Sequence, residues 1–203
     1  IHAYSISGEL LWQANLTGRI DQLVWYYISQ NNRLELAATS QSNLIHFMSN
    51  KGSLKNQLAY LQDIVSLQTI TPEGLPPSQL IVTGQDGIVR GLGPEGRLLW
   101  EYNSQSTPIN TFIGGNAIFI ATEEEQLICL GFIGDPSPAE LWRLNDMGRI
   151  SAFYWGDLNG DVVPDIAVGT RDGVVSLYAA DGNQEIWDRL EMAGEIFHLT
   201  AIQ

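Results

Sequence analysis

The sequence predicts an all-β fold, a β-propeller built from four-stranded antiparallel blades of about 44 residues each. Three observations lead to it. First, four segments share a turn followed by a tryptophan: YSISGELLWQ, GPEGRLLWEY, SPAELWRL and ADGNQEIWDR, with Trp12, Trp100, Trp142 and Trp187 in register. The tryptophans are 88, 42 and 45 residues apart, and the first spacing is twice 44. A degenerate copy, MSNKGSLKNQL, falls at the halfway point, with Gly52 and Leu54 in register and Asn56 where tryptophan would stand. Second, GRIDQLVW (residues 18–25) and GRISAFYW (148–155) match at Gly, Arg, Ile and Trp, and GEIFHLTA (194–201) begins a weaker third copy. Third, each period breaks into short alternating runs separated by turn residues, the pattern of hairpin-connected strands.

The elements follow in order. The first full period reads IDQLVWYYI, RLELAAT, NLIHFMS and SLKNQLAYL; the second IVSLQTI, QLIVTG, GIVRGL and RLLWEY. The third is shortest: INTFIGG, AIFIAT, QLICLGFI and AELWRL. The fourth reads ISAFYW, DIAVGT, VVSLYAA and QEIWDRL, with the turns RDG and DGN between its last three strands. Within SLKNQLAYLQDIV, Leu54, Leu58, Leu61 and Val65 have helical spacing, but the repeat register assigns a strand. Four complete blades therefore span residues 19–63, 64–108, 109–147 and 148–193. Residues 1–18 supply the last two strands of a split blade, and residues 194–203 supply a first strand. One four-stranded sheet cannot bury both faces, so blades must stack. A five-bladed ring closed by joining the ends would lack a second strand. The preferred reading is part of a larger ring of roughly six to eight blades, its open ends covered by the remaining blades or another chain.

Composition narrows the function classes. The net charge is −13, from 10 basic and 23 acidic residues, and no basic run exists. Nucleic-acid and anionic-membrane surfaces need clustered Lys and Arg, so neither is expected. No apolar run approaches the roughly 20 residues of a membrane helix, so no membrane insertion is expected of this segment. The single cysteine, Cys129, excludes an internal disulfide, and its apolar neighbours suggest a buried thiol.

One loop stands apart. GDLNGDVVPDIAVG (residues 156–169) places Asp157, Asn159 and Asp161 on alternate positions, followed by Val163 and Asp165 just ahead of a strand. Calcium takes about six to eight oxygen ligands, and alternate residues of a tight loop can turn inward to supply them. Asp157, Asn159, Asp161 and Asp165 offer side-chain oxygens, and Val163 its backbone carbonyl. Magnesium, which retains its waters, suits such a loop less well. The alternative is a polar Asx-type turn that needs no ion. Equivalent positions in the first complete blade are Tyr27, Ser29, Asn31 and Glu35, and in the second Thr71, Glu73, Leu75 and Gln79. In the third, the first two strands nearly meet at GGNA. The acidic pattern is therefore not required to build a blade.

The run DLNGDVVPDIAVGT resembles the FG-GAP repeat of integrin-alpha-like propellers, which carries a calcium loop between the first and second strands of a blade. The run GVVSLYAADGNQEIW resembles the blade ending of quinoprotein-like (PQQ-type) propellers, in which the tryptophan docks on the neighbouring blade. The first resemblance implies calcium at Asp157, Asn159, Asp161, Val163 and Asp165, and an extracellular or periplasmic setting. It also implies glycine at the sixth loop position, where this chain has Val162. The function expected is a non-catalytic binding or scaffold module for a protein partner, not an enzyme. The alternatives are a fragment of a quinoprotein dehydrogenase and a carbohydrate-binding propeller.

Lesser candidates fall into repeat columns. His2 and His46 are equivalent, with Arg90 and Ser176 in the same column, and no third metal ligand is evident. His198 has no obvious partner, and TEEEQ (122–126) reads as a solvated hairpin tip. Trp25 and Trp155 lie on first strands, where packing is the simpler role.

Overall fold

The computed structural model describes residues 1–28, 33–72, 78–182 and 189–200. Almost all of its regular structure is strand, and the expected meanders form. In the first complete blade β3 (Ile20–Tyr27), β4 (Leu34–Ser40), β5 (Leu44–Ser49) and β6 (Leu54–Ala59) lie side by side in chain order. The second holds β7 (Ile64–Ile70), β8 (Gln79–Gly84), β9 (Ile88–Leu92) and β10 (Leu98–Asn103), the third β11 (Pro108–Gly114), β12 (Ala117–Thr122), β13 (Leu127–Gly131) and β14 (Ala139–Leu144). The fourth holds β15 (Ile150–Gly156), β16 (Asp165–Thr170), β17 (Val174–Ala179) and β18 (Leu190–Glu191). A two-stranded sheet, β1 (His2–Tyr4) with β2 (Leu10–Gln13), is the split blade. Every pairing is antiparallel. The segment with helical spacing is strand β6, as its repeat register requires. Residues 194–200 form no strand: Ile196 donates its N–H to the Thr170 carbonyl, and its own carbonyl accepts from Ser151 Oγ. A first strand ladders only against a second strand, and no described residue supplies one. Trp187 and the start of the expected fourth strand lie outside the described residues.

The repeat extends to irregularities that no periodicity count reveals. All four first strands carry a register shift at one position, leaving Asp21, Val65, Ile109 and Ser151 unpaired. The four fourth strands whose tryptophan station is described, β2, β6, β10 and β14, shift just before it, at Leu11, Lys55, Leu99 and Leu141. A bulge adds a residue to one strand and sharpens its local twist. Here it re-aims the following side chain, which is tryptophan in β2, β10 and β14 and Asn56 in β6.

The chain divides into two compact units, residues 1–103 and 104–203. The first unit's core gathers Tyr26, Ala37, Ile45, Phe47, Leu67, Leu80, Val82 and Leu92. The second unit's core gathers Phe119, Leu127, Cys129, Ile150, Ile166, Val168 and their neighbours. Second strands are the most buried: β8, β12 and β16 are buried along their whole length. They sit inside each sheet with a strand on either side. Each Leu, Ile, Val or Phe placed there contributes about 1.5–3 kcal/mol. In the second unit Phe112 stacks on Phe153 at 4.9 Å, and Phe119 touches Trp142, Phe153 and Trp155.

The tryptophan station ties blades together within each unit. Trp12 lies on Gly52 in the next blade's hairpin, where a Cβ would come within 2.5 Å of the ring, and its Nε1–H donates to the Asn50 carbonyl. Trp142 lies on Gly182 in the same way and donates to the Ala180 carbonyl at 3.1 Å. Both glycines have φ near +80 or +72, a conformation that L side chains rarely adopt. Asn56 has no ring, yet its Nδ2 donates to the Glu95 carbonyl of the next hairpin at 2.7 Å. The substitution therefore keeps the hydrogen bond, and the ring of Phe47, the cross-strand partner of Asn56, lies over the hairpin glycine Gly96 instead of an indole. Trp100 differs: its Nε1–H donates to Gln79 Oε1 within its own blade at 2.6 Å.

Candidate functional site

The loop between β15 and β16 begins at Asp157, just after Gly156 and Asp165 pair across the two strands. Its acidic side chains organise it through backbone donors. Asp157 Oδ1 accepts the Gly160 N–H at 2.6 Å, and Asp157 Oδ2 accepts the Val162 N–H at 2.9 Å. Asn159 Oδ1 accepts the Asp161 N–H, and Asp161 Oδ1 accepts the Val163 N–H at 2.8 Å. Asp165 Oδ2 accepts the Leu158 N–H at 2.9 Å. These donors, those of Gly160 and Val162 first, hold the Asp157 carboxyl below the ordinary carboxylate range. Asp157 is therefore an anion throughout the neutral range.

Four of the five expected ligands, Asp157, Asn159, Asp161 and Val163, are exposed, while Asp165 is buried at the base of the loop. The donor chemistry suits calcium: three carboxylates, an amide and a backbone carbonyl sit on one nine-residue loop. The turn also closes at its sixth position, because Val162 adopts φ 72. The three carboxylates do not converge: among the described residues no group of three His, Cys, Asp or Glu side chains is close enough to hold a metal ion. Their oxygens are spent on the loop's own N–H groups, and each keeps a further lone pair for a cation.

The same column in other blades solves a different problem. Glu35, equivalent to Asp165, is fully buried and pairs with Lys55 and Arg33, with the Tyr26 hydroxyl 3.5 Å away. Burial and the Glu35 charge together push the Tyr26 phenol far above its ordinary pKa. Gln79, also equivalent, is the acceptor for Trp100. Three of the four complete blades thus bury a polar group at this point and satisfy it locally, while the third has Ala117 there. Sequence reasoning compared these positions but missed the partners, because Lys55 lies 20 residues from Glu35 and nothing in the repeat marks it.

The histidine column brings together no three metal-ligating side chains among the described residues. The Gln57 amide donates to His46 Nδ1 at 2.9 Å, and Nε2 lies 3.3 Å from Ser40 Oγ. His46 is buried, and burial lowers its pKa below the ordinary 6.5. The His2 ring lies 3.2 Å from the Tyr4 hydroxyl. In the same column Arg90 forms a cluster that sequence reasoning did not foresee. Its guanidinium pairs with Asp86 at 3.0 Å and with Glu101 at 2.7 Å, donates to the Tyr60 hydroxyl, and lies over the Tyr60 ring. Trp155 packs over Gly114 and Gly115, a packing role, whereas its equivalent Trp25 is 48% exposed.

No protein-family model matches the chain, and no curated protein sequence does. Solved structures do resemble it. BBS1N in a complex with ARL6DN, from a lead-soaked crystal, superimposes with a TM-score of 0.72 over 98% of this chain and 64% of that one, at 13% identity. A mercury-soaked crystal of the same complex gives 0.67 over 89% and 57%, at 13% identity. The computationally designed protein Ika8 gives 0.70 over 98% and 57%, at 14% identity. The chain thus spans less than two thirds of the length of these structures. At such identities the likeness establishes one thing, the β-propeller fold of this chain.

Proposed function

We propose that the chain is a non-catalytic β-propeller module that binds a protein partner, and that calcium stabilises the loop at residues 157–165. The observation that carries the first part is the likeness over 98% of the chain to BBS1N, a protein solved in complex with another protein, ARL6DN. The charge supports a protein partner over nucleic acid, since 23 acidic residues face only 10 basic ones. No helix among the described residues is long and apolar enough to cross a membrane. Calcium would be held by Asp157, Asn159, Asp161, the Val163 carbonyl and Asp165. The support is the donor set, the anionic state of Asp157 and the left-handed turn at Val162. Bound there, the ion would rigidify the loop and offset its negative charge.

Two experiments test this reading. Affinity capture followed by light scattering of the purified components should yield a complex of fixed stoichiometry. A chain that stays alone with every captured candidate contradicts the binding module. For the loop, melting curves are recorded in calcium and in chelator for the wild type and Asp161→Ala. Calcium at a hundredfold excess over its dissociation constant stabilises by about 2.7 kcal/mol, so only the wild type should shift. Four coincident curves contradict the calcium assignment.

A further inference from the structure

The loop at residues 157–165 carries a second chemistry that needs no ion. Asn159 is the one asparagine in the sequence that is followed by glycine. The backbone nitrogen of the next residue can attack an asparagine amide and close a five-membered cyclic imide. A side chain on that next residue shields its nitrogen, and glycine has none. Asn159 and Gly160 are both exposed and lie in no strand. A Cβ at Gly160 would meet nothing within 4 Å, so the surroundings add no shield either.

Other asparagines at turns serve as internal controls. The nitrogens that follow Asn43 and Asn116 belong to Leu44 and Ala117, the first residues of β5 and β12. Asn50 is exposed on a hairpin, but Lys51 follows it.

The hydrogen bonds of the loop meet the demands of ring closure at two atoms. The attacking nitrogen must lose its proton, and the Gly160 N–H already donates to Asp157 Oδ1 at 2.6 Å, within reach of a general base. The amide oxygen must carry negative charge in the tetrahedral intermediate, and Asn159 Oδ1 accepts the Asp161 N–H at 2.9 Å. A backbone donor at that oxygen stabilises the charge as it develops. Asn159 Nδ2 donates to Asp161 Oδ2 at 3.2 Å, so both ends of the amide are held.

We propose that Asn159 is a site of covalent self-modification, converted to aspartate and isoaspartate through a cyclic imide with Asp157 as the base. The Gly160 nitrogen bonds to the Asn159 side-chain carbonyl carbon, and the bond from that carbon to Nδ2 breaks. The proton taken up by Asp157 passes to the departing nitrogen, which leaves as ammonia. Water then opens the imide. Opening at the side-chain carbonyl gives aspartate; opening at the backbone carbonyl gives isoaspartate, which carries the chain through one more methylene. Either product adds a negative charge to a loop that already holds three carboxylates. Isoaspartate also lengthens the backbone inside the span that the Val162 N–H closes onto Asp157. The loop therefore changes with the age of the molecule, whether or not it binds calcium.

The test is incubation of the full chain at neutral pH and body temperature, in chelator so that calcium plays no part. Tryptic peptides are then followed by mass spectrometry. Peptide 150–171 holds a single asparagine, Asn159, and peptide 34–51, with Asn43 and Asn50, is the control. The expected result is the mass change of amide to acid in peptide 150–171 while the control stays unchanged. Part of the product should accept a methyl group from an isoaspartate methyltransferase. Asp157→Asn keeps an acceptor for both N–H groups and loses the base. It should slow conversion about tenfold, less than the usual general-base contribution because a carboxylate is a weak base for an amide proton. Should that variant fail to fold, the wild type in guanidinium chloride keeps the Asn-Gly sequence without the loop and should convert more slowly than the folded chain. No mass change in peptide 150–171, equal rates in wild type and Asp157→Asn, or conversion as fast in guanidinium chloride as in the folded chain would overturn the proposal.

Discussion

Val162 is the residue where local chemistry and loop geometry disagree. It is β-branched, 86% exposed and left-handed at φ 72. The left-handed region costs an L residue roughly 1–2 kcal/mol, and no burial compensates here. What holds Val162 there is its N–H bond to Asp157 Oδ2, one of two that this carboxylate accepts. Glycine escapes the steric cost but loses more backbone entropy on folding, roughly 0.5–1 kcal/mol. Val162→Gly should therefore stabilise the protein by about 0.5–1 kcal/mol in urea unfolding, net of those two effects. Val162→Thr, also β-branched, should give no gain, and a destabilised glycine variant would show that the turn is not strained. His46 makes a second prediction at this scale. Both ring nitrogens are engaged in the neutral form, and burial depresses its folded pKa. The unfolded chain then binds the proton more readily, so the contribution is complete above pH 6.5 and is lost as pH falls below it. Stability measured at pH 7.5 and 5 should differ more for the wild type than for His46→Asn, and equal differences would contradict this.

The fourth strand is the element on which the blades depend. Its bulge turns a tryptophan, or Asn56 in its absence, onto the next hairpin. In the first blade the bulged residue is Lys55, and it reaches back to the buried Glu35. Removing one partner of a buried ion pair typically costs about 3–5 kcal/mol, because the other charge is left behind. Lys55 can turn to water, so Glu35→Ala should fall at the lower end, about 3 kcal/mol. Glu35→Gln should cost less, since an amide still accepts, as Gln79 does from Trp100. Urea unfolding of the two variants separates these outcomes, and equal losses would assign the effect to charge alone. The strands themselves were legible because tryptophan and turn glycines recur at a fixed interval, enough to overrule the helical spacing of Leu54, Leu58 and Leu61. The partners were not. Glu35–Lys55 and Tyr60–Arg90 join residues 20 and 30 apart, and a single sequence carries no mark of that pairing.

At the scale of the whole molecule, one blade plan is varied at a few stations, and function is expected where the plan is varied. The loop proposed to bind calcium was visible in the sequence as the one first-to-second-strand connection with acidic residues on alternate positions. Its hydrogen-bonding was not, because which oxygen meets which N–H depends on the turn at Gly160 and Val162. The degenerate repeat at Asn56 was visible in the sequence, but not that the Phe47 ring takes the indole's place over Gly96, because that pairing lies across two strands. The central claim is a rigid binding module whose last complete blade is set by calcium. Hydrogen exchange of the backbone amides tests it most directly, comparing millimolar calcium with chelator. The account predicts slower exchange at Leu158, Gly160, Val162 and Val163 in calcium, with the strands of the first three complete blades unchanged. Identical exchange at these four amides in both conditions would contradict it.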